Sequence, residues 1–305
     1  MAATELTTWD LAEGDALTAD LTVLRHLGGG THHEALLVWD ERRLAVLVAK
    51  ALRPADVEDP DSRLMLEREA EALRAIDHPV VVRLFDAVLD GERPHLLLEH
   101  LEGATLRSVM RRTGPLALEQ LLPLGLHLAA ALHHLHGLGR VHLDVKPDNV
   151  VLGAPPRLID FSVCATLERA ARMRGAVGTD ATMAPEQCVP DGRIGPASDV
   201  FGLGATLHWA WAGERPWPRE DGAREAADPA VRWPQLVAPP EPLPGRTPPA
   251  LAGLVDAMLD PEPDARPSMR EVAEGLEPLV AELPDRLVLT GRGLRPGRRR
   301  QRRST

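Results

Sequence analysis

The segment His142-Leu143-Asp144-Val145-Lys146-Pro147-Asp148-Asn149 contains the only asparagine of the 305-residue chain and one of its two lysines. The other lysine, Lys50, ends the strand-like run Val46-Leu47-Val48-Ala49-Lys50, and the remaining 33 of the 35 lysines and arginines are arginines. Arginine is a planar five-donor fork and lysine a compact point charge, so a tight phosphate pocket distinguishes them. Asparagine offers a neutral carbonyl oxygen that aspartate does not reproduce. This rarity indicates that both lysines and Asn149 are retained for chemistry.

Length and cysteine content limit the class of protein. A chain of 305 residues suits one large domain or two closely packed lobes. It has no run of about 18 apolar residues, so we expect no membrane span. The first 20 residues carry five acidic side chains and no basic one, the opposite of a secretory signal. Two cysteines, Cys164 and Cys188, form no disulfide framework, and we expect a cytoplasmic location.

Charge is unevenly spread along the chain. The net charge is −10, but residues 286–305 hold eight arginines and no acidic residue. Subtracting those eight leaves 45 acidic against 27 basic residues, or −18, over residues 1–285. The tail composition predicts disorder. Such a basic arm could contact nucleic acid or acidic surfaces, and a merely solvated tail is an equal alternative.

The pattern of apolar residues predicts a strand-rich part followed by a helix-rich part. Strands are expected at residues 21–27, 35–40, 42–50, 80–89 and 95–100. Helical spacing predicts one helix over residues 62–76 and a longer one over 118–136. We therefore divide the chain into an acidic N-terminal extension (1–19), a strand-rich lobe (20–101), a helical lobe (102–283) and a basic tail (284–305).

A glycine cluster, Gly28-Gly29-Gly30, separates the first two predicted strands. Because glycine has no Cβ, its backbone N–H groups can approach phosphate oxygens closely. By itself such a hairpin is more often an ordinary turn, so the phosphate interpretation depends on motifs further along the chain.

Further elements come after this turn in a recognisable order. They are the strand ending at Lys50, a helix carrying Glu69, the loop with Asp144, the strand end Leu158-Ile159-Asp160-Phe161-Ser162 and the segment Ala184-Pro185-Glu186. With these motifs, residues 20–282 resemble the eukaryotic-like serine/threonine protein kinases of actinobacteria. The resemblance implies an α+β, bilobal protein-kinase fold. It also implies a kinase that uses ATP and Mg²⁺ and acts on serine and threonine hydroxyls of protein substrates.

Four catalytic residues are implied by the resemblance. Lys50 would hold the α- and β-phosphates of ATP and pair with Glu69. Asp144 would orient the substrate hydroxyl and accept its proton, while Lys146 would neutralise the transferred γ-phosphate.

A nucleotide and metal site is implied as well. Asn149 and Asp160 would hold two Mg²⁺ ions. The Glu99 carbonyl and the Leu101 N–H would bond adenine, with apolar side chains packing on its faces. The nucleotide-contacting set is Gly28, Gly29, Gly30, Ala35, Ala49, Lys50, Leu98, Glu99, Leu101 and Val151.

Supporting contacts are implied around this site. Asp199 would brace the catalytic loop, and Glu186 would form a buried ion pair with Arg266. The hydroxyl of Thr179 would bridge Asp144 and Lys146.

Departures from the family pattern concern regulation more than chemistry. No arginine precedes Asp144. In relatives such an arginine receives a phosphate on the activation segment, the stretch between the Asp160 motif and Ala184-Pro185-Glu186. Within residues 162–177 only Thr166 offers a threonine to phosphorylate beyond Ser162 itself. His33 replaces the third loop glycine, and Ser162 replaces the glycine of the metal-binding motif. None of these changes removes a group that touches ATP, metal or the attacking hydroxyl.

Two other functions remain open. A pseudokinase scaffold would bind nucleotide and signal by docking, but it would be favoured by loss of Lys50, Asp144 or Asp160, and all three are present. A small-molecule phosphotransferase of the aminoglycoside type would share the aspartates. However, the Ala184-Pro185-Glu186 segment and Asp199 are typical of a peptide-docking lobe.

Histidines and cysteines offer weaker hypotheses. The spacing of the histidines lacks the cysteine or carboxylate partners of zinc sites, so a structural role is favoured. The histidines in question are His127, His133, His134, His136 and His142. A redox pair of Cys164 and Cys188 is less expected than two ordinary thiols.

Overall fold

The computed structural model describes residues 7–219 and 222–284. Except for its first residue, the predicted basic tail (284–305) lies outside the described residues, as does the start of the acidic extension. The disorder predicted for that tail therefore stays a prediction.

A six-stranded antiparallel sheet forms the first part of the described chain. Its strands are β1 (Ala16–Thr18), β2 (Leu21–Gly29), β3 (His33–Asp40), β4 (Ala45–Leu52), β5 (Leu84–Val88) and β6 (His95–Glu99). The order across the sheet is β1-β2-β3-β4-β6-β5, so β4 lies near the middle. Side chains along β3 alternate between buried and partly exposed, as the two-residue period of a strand requires.

Two predicted strands begin later than expected. The strand predicted from residue 42 begins at Ala45, because the Asp40 carboxylate accepts hydrogen bonds from the Arg42 and Arg43 amides at 2.8 and 3.1 Å and holds a turn there. The strand predicted from residue 80 begins at Leu84, and Val81 before it makes only an isolated bridge to Leu158.

The acidic extension takes part in the sheet. Strand β1 pairs with β2, so the sheet begins before residue 20, the predicted boundary. Upstream of it, the indole N–H of Trp9 donates to the Leu52 carbonyl at 2.7 Å and its amide donates to Glu34 at 2.9 Å. Residues from Trp9 onward are therefore held against β3 and β4.

Helix α1 (Pro60–Ala75) crosses between β4 and β5. The Asp59 carboxylate caps its first turn by accepting from the Ser62 amide at 2.9 Å, and a proline follows the cap at the first helical position. Its buried residues include Leu66, Ala70 and Leu73, the spacing of one helical face. Glu69 lies on this face, so α1 carries a carboxylate into the interior.

Helices dominate the second part of the described chain. They are α2 (Leu106–Thr113), α3 (Leu118–Gly137), α4 (Leu167–Ala170), α5 (Pro196–Ala212), α6 (Pro229–Arg232), α7 (Pro249–Met258) and α8 (Met269–Ala281). Short strands β7 (Arg140–Val141), β8 (Val150–Val151), β9 (Arg157–Leu158) and β10 (Ala165–Thr166) lie among them in two small sheets. Helix α5 is buried over most of its surface, and α3 packs against both α5 and α8. This core holds the loops that face the sheet.

The expected ion pair of Glu186 and Arg266 ties the end of the activation segment to this core. Two guanidinium nitrogens donate to the two Glu186 oxygens at 2.8 and 2.9 Å, and the Arg266 side chain is fully buried. Further donor groups of Arg266 reach backbone carbonyls, and Ser198 Oγ donates to Glu186 at 2.6 Å. Because these bonds satisfy the remaining donors of Arg266, the attraction between the two charges can offset the cost of burying them.

The fold is α+β and bilobal, and the predicted fold class is confirmed. None of the helices in the described ranges is long and apolar enough to cross a membrane.

Candidate active site

A cleft of about 640 Å³ is lined by residues of both lobes. Pockets for small ligands range from about 300 to 1,000 Å³, so a nucleotide fits this size. Nine of the predicted site residues line it: Ala35, Lys50, Glu69, Leu98, Glu99, Leu101, Asn149, Val151 and Asp160.

Ala49 is the one predicted apolar contact that lies elsewhere, and Val48 takes its place. Side chains alternate along β4, so Val48 faces the same side as Lys50 while Ala49 faces the other. Ala49 is completely buried in the small core on that other side, with Leu36 and Leu97. The structure therefore places Ala49 outside the cleft, contrary to the prediction, and Val48 in it.

Leu27 and Ile159 line the cleft as well and were missed from the sequence. Each immediately precedes a residue that was singled out, Gly28 or Asp160. The two-residue strand period, applied from Lys50, was the signal that could have found Val48, but it does not reach Leu27 or Ile159.

The glycine turn joins β2 to β3 and is closed by its own hydrogen bonds. The Gly28 amide donates to His26 Nδ1 at 3.1 Å, and the Gly30 amide donates to the His33 carbonyl at 3.0 Å. A Cβ on Gly29 would lie 2.3 Å from that carbonyl oxygen, so only glycine fits there. His33, and not the glycines, lines the cleft, and the Gly28 and Gly30 amides are already hydrogen-bonded within the turn.

Three charged groups meet at the inner part of the cleft. The Lys50 ammonium donates to both Glu69 oxygens at 2.8 and 2.7 Å and to Asp160 Oδ1 at 2.8 Å. The Phe161 amide also donates to Glu69, at 3.1 Å. Phe161 is fully buried and packs edge-on against His142 at 4.7 Å between ring centroids. These contacts fix α1, β4 and the Asp160 segment to one another.

Protonation at this triad follows from burial and charge. Burial alone would lower the pKa of Lys50, but the attraction of Glu69 and Asp160 outweighs it and holds the pKa above its ordinary value. Burial would raise the pKa of Asp160, but Lys50 outweighs it and lowers that pKa. Burial raises the pKa of Glu69, against the pull of Lys50. Lys50 is therefore a cation and Asp160 an anion near neutral pH.

His33 reaches the same cleft in a neutral form. Burial, together with the charge of Lys50, lowers the pKa of His33 to about 3. An imidazole that stays neutral can neighbour Lys50 without repelling it.

The catalytic loop presents a carboxylate with one free oxygen. Asp144 Oδ2 accepts from Lys146 Nζ at 2.7 Å and from Asn149 Nδ2 at 3.0 Å. Oδ1 is buried and has no hydrogen-bond partner within the described parts of the chain. A buried acceptor left without a partner is costly, so Oδ1 is an available acceptor for a ligand hydroxyl.

Asp199 braces this loop from α5, as expected. Its carboxylate accepts from the amides of His142 and Leu143 at 2.9 and 2.7 Å and from His136 Nε2 at 2.9 Å. Leu143 adopts a left-handed φ of 67°, an unfavourable conformation for a branched side chain. Such conformations persist only where the surroundings over-determine them, and the bonds to Asp199 do so here.

Thr179 and Asp180 join the end of the activation segment to the site. Lys146 Nζ donates to Thr179 Oγ1 at 2.6 Å and to Asp144 Oδ2 at 2.7 Å, so the expected contact between Thr179 and Lys146 is present, but the ammonium and not the hydroxyl bridges the other two groups. The next carboxylate was not anticipated: Asp180 accepts from Trp233 Nε1 at 3.0 Å and pairs with Arg219 and Arg232 at 3.5 and 3.4 Å. The segment therefore has an anion held by arginines without any phosphate.

Asn149 and Asp160 both line the cleft and supply oxygen donors to it, and the Ile159 amide, next to Asp160, donates to the Asn149 carbonyl at 2.9 Å. Their amide and carboxylate oxygens suit Mg²⁺, which takes one or two protein ligands and completes its shell with phosphate and water. Where the chain is described, no group of three or more His, Cys, Asp or Glu side chains could hold a metal by itself. The donor set therefore fits a metal that arrives with phosphates, and the histidine zinc site stays disfavoured.

Both cysteines are buried free thiols. Burial raises the pKa of Cys164 and of Cys188 to about 12, so neither is a thiolate near neutral pH. The interpretation as ordinary thiols is supported.

Comparison with known proteins agrees with the geometry. The protein kinase domain family matches residues 21–275. The chain is 35% identical over 230 residues to a probable serine/threonine-protein kinase PkwA of Thermomonospora curvata, covering 74% of this chain and 30% of that protein. It is 31% identical over 272 residues to the serine/threonine-protein kinase AfsK of Streptomyces coelicolor, covering 84% and 33%. It is 30% identical over 200 residues to the serine/threonine-protein kinase PknB of Mycobacterium leprae, covering 63% and 32%. The aligned part thus spans about a third of each of these relatives.

Proposed function

The chain belongs to the protein kinase family, of the serine/threonine type found in actinobacteria, and from that premise we propose that it transfers the γ-phosphate of ATP to serine and threonine hydroxyls of protein substrates. The proposed location is the cytoplasm, where ATP and Mg²⁺ are available.

The observation that carries this proposal is the state of Asp144. One oxygen is held by Lys146 and Asn149, and the other is buried without a partner in the described chain. A substrate hydroxyl donating to Oδ1 would satisfy that oxygen and be oriented for attack on the γ-phosphorus. Lys146, next to the same carboxylate, would offset charge on the phosphoryl group as the bond to the leaving ADP oxygen breaks.

Lys50 and Glu69 are proposed to position the nucleotide. Lys50 is a buried cation whose ammonium already bonds two carboxylates, so it can bind α- and β-phosphate oxygens without becoming neutral. Glu69 would keep the ammonium in place while Asp160 turns to the metal. Mg²⁺ bound by Asn149, Asp160 and phosphate oxygens would neutralise charge developing on the β- and γ-phosphates.

The adenine is proposed to lie beside the segment Leu98–Leu101. The Glu99 carbonyl and the Leu101 amide would make the edge hydrogen bonds, and Ala35, Val48 and Val151 would pack on the ring faces. All five residues line the same cleft, which supports the assignment.

A scaffold without catalysis is the main rival function. A non-catalytic pocket would not need Lys146 between Asp144 and Thr179, so the intact contacts at 2.7 and 2.6 Å favour an enzyme. The segment from Thr179 to Glu186 is held at Asp180 by Trp233 and at Glu186 by Arg266, and we propose that it supports a peptide substrate, which disfavours a small-molecule phosphotransferase.

Transfer of labelled phosphate tests the proposal. The full chain is incubated with γ-labelled ATP, Mg²⁺ and two acceptor proteins, one acidic and one basic, and compared with Asp144→Asn. We expect label in phosphoserine and phosphothreonine from the wild type and a loss of about 10² to 10⁴ in rate for the variant.

Equal labelling of the acceptors by the wild type and by Asp144→Asn would exclude Asp144 as the base. Phosphotyrosine in an acceptor would contradict the serine/threonine assignment, and autophosphorylation on tyrosine is impossible because the chain has none. ATP binding by the wild type without any transfer would favour the scaffold.

A further inference from the structure

Arg107 and Arg215 stack on the same buried tryptophan. Their guanidinium carbons lie 4.4 and 4.9 Å from the ring centroid of Trp209, which is 5% exposed. Arg107 lies on α2, Trp209 on α5 and Arg215 in the loop that follows α5. A cation over an indole face is attracted to it, so the ring holds two like charges in one place.

Neither of these two charges belongs to an ion pair within residues 7–219 and 222–284. Burial lowers the pKa of Arg215, the charge of Arg107 lowers it further, and only Asp148 acts in the opposite direction. Both side chains are partly exposed and can be reached from solution.

Arg219 extends this pair into a row. Burial lowers the pKa of Arg219, Asp180 raises it, and Arg215 is close enough to lower it again. Its terminal nitrogens bind Asp180, while its buried Nε has no partner in the described residues. We call Arg107, Arg215 and Arg219 the arginine row.

The arginine row lies beside the catalytic loop. Helix α2 packs against the Pro147–Asn149 turn, and Asp148 in that turn is the carboxylate that acts on Arg215. At the other end, Asp180 directly follows Thr179, which is bonded through Lys146 to Asp144. A peptide whose hydroxyl reaches Asp144 would therefore pass close to these arginines.

Net charge makes this surface unusual within the protein. The chain up to residue 285 carries −18, from 45 acidic and 27 basic residues. Among the described residues, the arginine row and the neighbouring Arg232 carry four positive charges, and the carboxylates that act on Arg215, Arg219 and Arg232 are those of Asp148 and Asp180. The protein is otherwise acidic, so a positive strip beside Asp144, the proposed catalytic base, attracts anionic peptides and disfavours basic ones.

We infer that the protein substrate is anionic around its acceptor hydroxyl, with aspartate, glutamate or already phosphorylated side chains bound by Arg107 and Arg215. This inference rests on the proposed function and names its substrate class. Guanidinium groups form paired charge-assisted hydrogen bonds with carboxylate and with phosphate, so both sources share one chemistry. Arg219, tied to Asp180, adds positive potential.

Matched peptides test the inference. The acceptor serine is flanked on both sides by glutamate, glutamine, arginine or phosphoserine in an otherwise constant sequence, and kcat/KM is measured for the full chain. We expect glutamate or phosphoserine to exceed glutamine by about tenfold, equivalent to roughly 1.4 kcal/mol, and arginine to be poorest. Raising the salt concentration should reduce the preference.

Variants locate the preference. In Arg107→Gln and Arg215→Gln, the ratio of kcat/KM for glutamate over glutamine peptide should fall towards one, and this ratio does not depend on the fraction of folded enzyme. Arg112→Gln is the matched control, because Arg112 is an exposed arginine of the same helix, whereas the cations that lie over Trp209 in the described residues are Arg107 and Arg215. It should keep the wild-type ratio.

Each result has one meaning. A phosphoserine preference above glutamate supports a substrate primed by earlier phosphorylation, and equal rates support a carboxylate-rich one. Wild-type preference for glutamine or arginine peptides, or an unchanged ratio in both row variants, overturns the inference while leaving kinase activity established. A different result would reject the proposed function itself: the wild type would transfer phosphate to no peptide or protein above the level seen with Asp144→Asn.

Discussion

Lys50 donates to both carboxylate oxygens of Glu69, at 2.8 and 2.7 Å, and these two buried side chains join β4 to α1. The same ammonium reaches Asp160, so one cation orients groups from three elements. The chemistry expected of the cleft depends on this contact.

Replacing Lys50 by methionine should abolish phosphate transfer without unfolding the protein. Burial already raises the pKa of Glu69, so without its partner this carboxyl takes up a proton and does not remain a buried anion. We expect a loss on the order of 100-fold or more, because the nucleotide phosphates lose their positioning cation. Lys50→Arg should also be severely impaired, since a planar fork occupies different space from an ammonium. Transfer rates and thermal unfolding are measured together, and near-normal turnover by either variant would refute the assigned role.

Thr179 should be required for its hydroxyl, which accepts from Lys146 at 2.6 Å. Thr179→Ser keeps this oxygen and should retain most of kcat. Thr179→Val keeps the shape but loses the acceptor, so Lys146 is less well placed and kcat should fall by about tenfold or more. Steady-state kinetics with ATP and a peptide separate the two. Equal kcat values for the serine and valine variants would show that the bridge is structural only.

Dephosphorylation should change the basal rate little. Ordering of an activation segment by phosphorylation depends on new phosphate–arginine bonds. Here Asp180 already bonds Arg219, Arg232 and Trp233, and no arginine precedes Asp144. After phosphatase treatment, an initial-rate assay too short for rephosphorylation should show less than a tenfold change, or about 1.4 kcal/mol in the barrier.

The Asp180→Ala variant provides the comparison for that assay. It removes the anion from three donors and leaves the nearly buried Arg219 without its carboxylate, so activity should fall even in untreated protein. A large loss on dephosphorylation, with no effect of Asp180→Ala, would mean that a phosphate orders the segment after all.

Arg266→Met should destabilise the fold strongly. The Arg266 side chain is fully buried, and its removal leaves the Glu186 carboxylate buried without its partner. Breaking a buried pair in this way costs about 3–5 kcal/mol. Urea unfolding measures the change. The matched control is Arg193→Met, since Arg193 pairs with Asp264 at 2.7 Å on the exposed surface and should leave the unfolding midpoint unchanged. Similar shifts for the two variants would contradict this difference.

Stability should fall in acid partly through His33. Its folded pKa is lowered to about 3, whereas an unfolded histidine titrates near about 6.5. Between these values the unfolded chain binds more protons than the folded one, so the free energy of unfolding decreases as pH falls. His33→Gln removes this contribution, and the variant should gain stability relative to the wild type as pH drops from about 6.5 towards 4.

Denaturant unfolding at several pH values measures the difference between the two proteins. Burial lowers the pKa of other histidines as well, including His95 and His142, so both proteins should lose stability in acid. Curves for wild type and variant that stay parallel over this range would contradict the prediction.

Much of the candidate site could be predicted from residue types and short spacings. The cleft is lined by Lys50, Asn149 and Asp160, as predicted. Asp144 lies in the loop that carries Asn149 and accepts a hydrogen bond from it. Their local patterns were sufficient because each lies at the end of a strand or in a short loop whose sequence is itself distinctive. The prediction that Ala49 contacts the cleft was wrong for a local reason, because the strand period places Val48, and not Ala49, on the same face as Lys50.

The anchoring of the activation segment could not be predicted in the same way. Asp180 meets Arg219 and Arg232 across 39 and 52 residues. The chain has many arginines, and nothing in the sequence distinguishes these two as its partners. The pairing of Arg107 with Arg215 on Trp209 is of the same kind, because three different elements supply the parts.

The sequence by itself determined the family, the two-lobed α+β fold and the identity of the charged groups, because these follow from residue type and from spacing within single elements. Only the tertiary structure decided which oxygen of Asp144 lacks a partner among the described residues and where Arg107 and Arg215 meet on Trp209. Those properties depend on burial and on distances between segments far apart in the chain, and the strength of a charge interaction is set by these two quantities.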